Sequence, residues 1–347
     1  MPTIKDVARA ARVSVGTVSN YLNGTTQVAD AKAERIREAI DALGYHVHLG
    51  ARGLRVGATR TVGLVVPNIS NPFFGEIARE LEHALTARGY QTFLCDSSDD
   101  SDRERAYLEN LANRRVDGAF VIHAHDDGEP VRRYEEAAVP IVFVDRPVPG
   151  RPSVASDNYL GGRLVAEHVL ELGHERIAVM LGRPEVSNVA ARFAGLRDAL
   201  METGLDVPDA YVLEGRQTLE FGRDVDRLMA LPAPPTAIFT TNDIVAVGAW
   251  LTLTEHGYRI PDDVSLIGFD DIELSRSIRP SLTTVAQDLP ELARHAVDML
   301  LDQIEPEAGS KPRSTAVIET VPIEPRLVVR ASTAPVPRAE ARPRKAG

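Results

Sequence analysis

Several polar and aromatic side chains stand just after apolar runs in this chain. Asn71, Phe73 and Phe74 follow VGLVV (62–66), and Asp145 and Arg146 follow PIVFV (140–144). Arg192 comes after IAVML (177–181), Asn242 and Asp243 follow AIFTT (237–241), and Asp270 follows VSLIGF (264–269). Aromatic faces stack on the apolar face of a sugar ring, while carboxylates, guanidiniums and amides give planar, often bidentate partners to neighbouring hydroxyls. Each residue also has a plainer reading. Asn71 before Pro72, Asn242 and Asp243 suit helix starts, the two phenylalanines suit a core, and Arg146 suits a surface. A second cluster, His123-Ala124-His125-Asp126-Asp127 after GAFVI (118–122), offers metal-ligand types, but a metalloenzyme needs further ligands and a base from elsewhere. No metal, cofactor or catalytic residue is expected.

The elements that must position these groups alternate. Short apolar runs, including TFLC (92–95), are separated by helical stretches of ten or more residues, the pattern of parallel sheets built from βαβ units. In such sheets ligands sit beyond the carboxyl ends of the strands, where the residues above fall. The runs exceed one sheet, so two similar halves divide near Ser156. Cys95, the single cysteine, reads as a buried strand thiol.

The N-terminal stretch differs. Residues 1–60 carry nine Lys or Arg against five acids, a net of +4, while the remainder carries 30 against 45, or −15. A basic head on an acidic body fits a polyanion-binding module attached to something else. Thr3 and Asp6 form a capping pair before Ile4, Val7, Ala8 and Ala11. Ser14 caps a second helix, Val15 to Leu22, with Gly24 as its stop. Ala8, Val13, Val18 and Leu22 supply a common core, making a helix-turn-helix. A third helix, Asp30 to Leu43, packs through Ile36, Ile40 and Leu43 and stops at Gly44. A second helix of this kind presents Val15, Gly16, Thr17 and Asn20 to base edges, Val15 to a thymine methyl and Asn20 to adenine. No uncharged run of 18 residues occurs, so a cytoplasmic location is expected.

The segments TIKDVARAARVSVGTVSNYLNG, ARGLR, VGLVVPNISNPFF, RRVDG, LGHERIAVM, PTAIFTTND, VSLIGFDDIELSRSIRPSLTTVAQ and VPIEPRL resemble the lac repressor family from about Thr3 to Ser332. The resemblance implies an α/β protein with an all-α head and a two-subdomain core like periplasmic sugar-binding proteins. Its expected divisions are the head 1–46, a hinge 47–60, a first subdomain 61–156 and 288–316, a second 157–287 and 317–332, and a disordered tail 333–347. It implies a homodimer on palindromic operator DNA, acting as a repressor under a small-molecule effector. Thr3, Ser14, Ser19 and Asn23 join the DNA-contacting set, with Leu54 as a minor-groove wedge flanked by Arg52 and Arg55. Gly53 makes that hinge a poor helix off DNA. Gln287 joins the ligand set. Purine-sensing relatives carry an aromatic residue where Arg146 stands, which favours a monosaccharide over a purine or nucleoside.

Overall fold

The computed structural model describes residues 2–23, 27–45, 58–124, 139–305 and 320–336. The chain forms two compact units, residues 1–59 and 60–347. Arg52, Leu54 and Arg55, the rest of the hinge through residue 57, Gly24 and His125 to Asp127 lie outside the described residues. Among the described residues no helix is long and apolar enough to cross a membrane.

The small unit contains α1 (Ile4–Ala11), α2 (Val15–Asn23) and α3 (Asp30–Leu43) around a core of Val7, Ala8, Ala11, Val18, Ile36 and Ala39. The Asp6 carboxylate accepts from both the Thr3 amide, at 2.9 Å, and the Thr3 hydroxyl, at 2.7 Å, which ties off the start of α1. These hydrogen bonds hold the Asp6 carboxyl below its ordinary range. Arg12, in the left-handed region at φ 52°, turns the chain toward α2. Gly44 ends α3 at φ 58°, as its sequence position predicts. Leu43 departs from expectation: it is 37% exposed, and Ala39 takes the core position instead.

In the large unit β1 (Thr61–Val66), β2 (Gln91–Asp96), β3 (Gly118–Val121), β4 (Ile141–Val144) and β5 (Ser153–Ser156) form one sheet with β11 (Thr320–Ile323), in the order β11-β5-β4-β3-β1-β2. A second sheet has the order β12-β10-β9-β8-β6-β7, from β6 (Ile177–Leu181), β7 (Val212–Glu214), β8 (Ala237–Thr240), β9 (Ser265–Asp270), β10 (Thr283–Ala286) and β12 (Arg326–Val328). The orders match strand for strand, so the halves repeat one plan. All pairings are parallel except β10 with β12. The main helices are α4 (Pro72–Thr86), α5 (Ser101–Asn113), α6 (Asn158–Glu171), α7 (Ser187–Met201), α8 (Leu219–Gly222), α9 (Val225–Met229), α10 (Asp243–Glu255), α11 (Glu273–Ser277) and α12 (Leu289–Ile304).

The chain crosses between the lobes after β5, after β10 and between β11 and β12. The last crossing comes later than the sequence suggests. Residues 320–323 pair with β5 and so extend the first sheet rather than the second; only from Arg326 does the chain join the second. The tail also starts later than 333. Ala334 donates its amide to Ser265 Oγ at 3.1 Å, Thr333 lies 3.0 Å from His168 Nε2, and the Val336 amide donates to the Leu172 carbonyl. Those partners fix 333–336 on the second lobe. On β2 the apolar run is an edge strand, not a buried one: Phe93 is 45% and Leu94 49% exposed, and Cys95 is half-buried.

Candidate functional site

In the head, Ser14 caps α2 by accepting from the Thr17 amide at 3.1 Å, and the two hydroxyls lie 2.9 Å apart. Thr17 is therefore engaged in the cap as well as standing on the N-terminal turn. Ser14, Val15 and Gly16 are exposed, Val15 by 40%, while Ser19 and Asn20 are half-buried on the same helix. A methyl at Gly16 would meet only Ser14 Oγ, at 3.7 Å, so close helix packing does not explain this glycine. An exposed Val-Gly turn opening a short helix matches the element that enters a major groove. Asn23 ends α2.

In the large unit the candidate ligand residues converge at the carboxyl ends of the strands of both sheets. Helix caps explain why the chain turns there. Asn71 Oδ1 accepts from the Phe73 amide at the start of α4, Asp157 from Leu160 at α6, Asn242 from Val245 at α10 and Asp288 from Glu291 at α12. Asn71 and Asn242 are thus caps, as the plainer reading has it, and both are also buried beside the cleft.

Arg192 is 2% exposed. Its Nε donates to Asn158 Oδ1 at 2.8 Å, its Nη1 donates to the Thr241 carbonyl at 2.6 Å and lies 3.5 Å from Asp270 Oδ1, and its guanidinium stacks 3.6 Å above the Phe269 ring. Two glycines bring it there. A methyl on Gly162 would overlap the Arg192 carbonyl oxygen and stand 2.9 Å from the Leu196 amide, and one on Gly195 would overlap the Tyr159 carbonyl. Helices α6 and α7 therefore cross backbone to backbone. Burial lowers the Arg192 pKa, opposed by Asp270 and Asp145. Burial raises the Asp270 carboxyl, with Arg192 the main influence holding it down, and Gln287 Nε2 donates to Asp270 Oδ1 at 2.8 Å.

Across the cleft, Asp145 sits at φ 66°, the left-handed region, directly after β4. Its Oδ2 accepts from Asn188 Nδ2 at 3.1 Å, a bond between lobes. Burial raises its pKa, opposed by Arg146 and Arg192. Arg146 Nη1 donates to the His123 and Ala124 carbonyls at 2.6 and 3.1 Å, and its guanidinium lies 5.9 Å from the Phe74 ring. The phenylalanines divide. Both pack in the first lobe's core, 5.4 Å apart, and only Phe74 also lines the space between the lobes. Asp243 braces the second lobe, accepting from Ser275 Oγ at 2.6 Å, Thr284 Oγ1 at 2.7 Å and the Ile272 amide at 3.0 Å, and burial pushes its pKa up to about 7.

The candidate ligand set holds two guanidiniums, Arg146 and Arg192, and two carboxylates, Asp145 and Asp270, so its charges balance. Its hydrogen bonding does not. Asp145 Oδ1, Arg146 Nε, Asn188 Oδ1, Asn242 Nδ2 and Gln287 Oε1 are buried with no hydrogen-bond partner, where such groups are ordinarily satisfied. The space between the lobes, lined by Asn71, Phe74, Arg146, Asp99, Arg183 and Arg216 among others, measures about 20 Å³, room for a water molecule but not a sugar ring. Contacts between lobes, including Asp99 to Arg183 at 3.6 Å and the Glu273 amide to Glu76 Oε1 at 3.0 Å, hold it closed. Asn158 and Asn188 were not anticipated from sequence. Asn188 lies four residues before Arg192 on one helix face, which is the signal that could have found it.

A helix-turn-helix unit in one chain with a two-lobed α/β unit whose strand ends meet in a polar cleft defines a ligand-responsive transcriptional regulator. Comparison with known proteins agrees. Residues 3–47 match the family described as bacterial regulatory proteins, lacI family, and residues 59–330 match periplasmic binding proteins and sugar binding domain of LacI family. The chain belongs to the LacI family; it is a regulator, not an enzyme. It is 36% identical over 337 residues to the HTH-type transcriptional repressor PurR of Mannheimia succiniciproducens, covering 96% of this chain and 98% of that one. It is 36% identical to the ribose operon repressor of Escherichia coli, covering 88% and 93%. The lac repressor dimer solved with operator and an anti-inducer superimposes with a TM-score of 0.83 at 26% identity, over 96% of this chain and 99% of that one.

Proposed function

We propose that the protein is a repressor that binds palindromic operator DNA as a homodimer and is governed by a monosaccharide held between the lobes by Asn71, Phe74, Asp145, Arg146, Arg192, Asn242, Asp270 and Gln287, with Phe73 as support behind Phe74. The five unpartnered buried atoms carry this reading. They mix donors and acceptors, and a polyol supplies both from every hydroxyl. A purine is the second reading, favoured by the similarity to PurR. A flat base is best held between aromatic faces, and among the described residues the cavity wall carries one aromatic, Phe74, so the sugar fits better.

Two copies would meet through the edge strand β2, whose exposed Phe93 and Leu94 are apolar surface seeking cover. Two-fold symmetry then places two heads on a palindrome. The effector acts only through its differential affinity for the operator-competent and operator-released dimers. Calorimetric titration of the protein and of Asp270→Asn with monosaccharides and with hypoxanthine and guanine tests the site. Sugar binding that Asp270→Asn abolishes supports it; purine binding without sugar binding, or sugar binding indifferent to Asp270→Asn, refutes it.

A further inference from the structure

The mouth of the cleft differs in charge from its floor. Around the small cavity, beside Arg146, which Asp145 matches in charge, stand two further guanidiniums, Arg183 and Arg216, against one carboxylate, Asp99. Asp99 comes from the first lobe, on a turn in which it and Ser98 both take left-handed backbone angles, φ 58° and 54°. It reaches Arg183 and Arg216 of the second lobe at 3.6 and 3.4 Å. Both contacts are longer than a good charge-assisted hydrogen bond, about 2.7–2.9 Å, so one carboxylate is stretched between two guanidiniums. On the wall of the same cavity, Arg146 Nε is buried without a hydrogen-bond partner, 3.9 Å from Asp145 Oδ2. A neutral sugar gains little from this excess of positive charge. An anionic group with three acceptor oxygens can take two forked guanidiniums at once.

We propose that the effector is a phosphorylated monosaccharide, with its phosphate on Arg183 and Arg216 in place of Asp99 and its ring toward Arg146, Asp145 and Arg192. The proposal rests on the monosaccharide reading above and narrows it. Asp99 is then the chain's own stand-in for the phosphate: it holds the lobes together when the site is free and competes with the ligand when it is not. That makes a directional prediction, because removing Asp99 favours the phosphate ester over the parent sugar, whereas removing a mere inter-lobe latch changes both alike.

The test is calorimetric titration of the full-length protein with D-ribose, D-ribose 5-phosphate, D-glucose, D-glucose 6-phosphate and inorganic phosphate at low and moderate salt, with circular dichroism to verify folding. In at least one pair the ester should bind at least about tenfold more tightly than its parent sugar, a difference of about 1.4 kcal/mol, with the advantage shrinking as salt rises. The ratio should fall toward one in the Arg183→Gln/Arg216→Gln double variant and rise in Asp99→Asn. Parent sugars binding as tightly as their esters, or a ratio indifferent to these variants, overturns the phosphate assignment and leaves the monosaccharide reading standing. Binding of hypoxanthine or guanine, with neither sugars nor esters bound, overturns both.

Discussion

Replacing Arg192 by methionine isolates what the buried guanidinium does for the fold without effector. Methionine keeps a flexible apolar stem of similar reach. It loses the bonds to Asn158 and Thr241 and the ion pair to Asp270. Breaking a buried pair by removing one partner costs about 3–5 kcal/mol when the other charge stays behind. Here the other charge has an escape. Burial already raises the Asp270 carboxyl, and Arg192 is the foremost group restraining it, so in the variant Asp270 takes up a proton. The folded protein then holds a proton that the unfolded chain releases above about pH 4. Stability of the variant should therefore decline as pH rises from about 4 through the elevated folded value, more steeply than in the native protein. In scanning calorimetry the deficit should be a few degrees near pH 5 and roughly 8 °C near pH 8, taking about 3–4 kcal/mol at about 2 °C per kcal/mol for a unit this size. Adding Asp270→Asn should flatten the pH dependence. An equal deficit at both pH values, or pH dependence surviving in the double variant, refutes this account of the pair.

Other substitutions probe other levels. Gly162→Ala should lower stability by about 1–3 kcal/mol despite alanine's better helix propensity, because backbone of α7 must move away; it should weaken effector binding too, and denaturant unfolding with calorimetry checks both. Leu94→Asp should shift the protein from dimer to monomer in analytical ultracentrifugation, with operator affinity falling in parallel; a variant still dimeric excludes β2 from the interface. Asn20→Ala should cost about 1–3 kcal/mol of affinity for operator selected from random DNA, concentrated at one base pair per half-site, measured by fluorescence anisotropy.

The strands easiest to find in the sequence were those buried on both faces, such as β1 and β9, because parallel core strands read as apolar runs. β5, Ser-Val-Ala-Ser, escaped that test although every residue is buried. Ser153 can be buried because its hydroxyl donates to the Arg151 carbonyl and accepts from the Val148 amide, a local arrangement composition does not reveal. β2 failed in the opposite direction: its apolar run marks an edge left uncovered within one chain. At the site, residues just past strand ends were legible because topology puts strand ends together. Asn158, Asn188 and the Asp99 pairings were not, since each is defined by a partner 34, 43 or 117 residues away.

The interleaving of the two sheets has a consequence for synthesis. The first lobe is begun first, yet its core lacks α12 until the chain has passed residue 304 and its sheet lacks β11 until residue 323. The second lobe runs unbroken from α6 to β10 and lacks only β12. On the ribosome the later-made half is the one able to approach its final form sooner, while the β5 edge of the earlier half stays open to mispairing. Residues 320–336 then complete both sheets within one short stretch. A product cut short before that stretch leaves both lobes incomplete, so ligand response and completeness of the chain are certified by the same few residues.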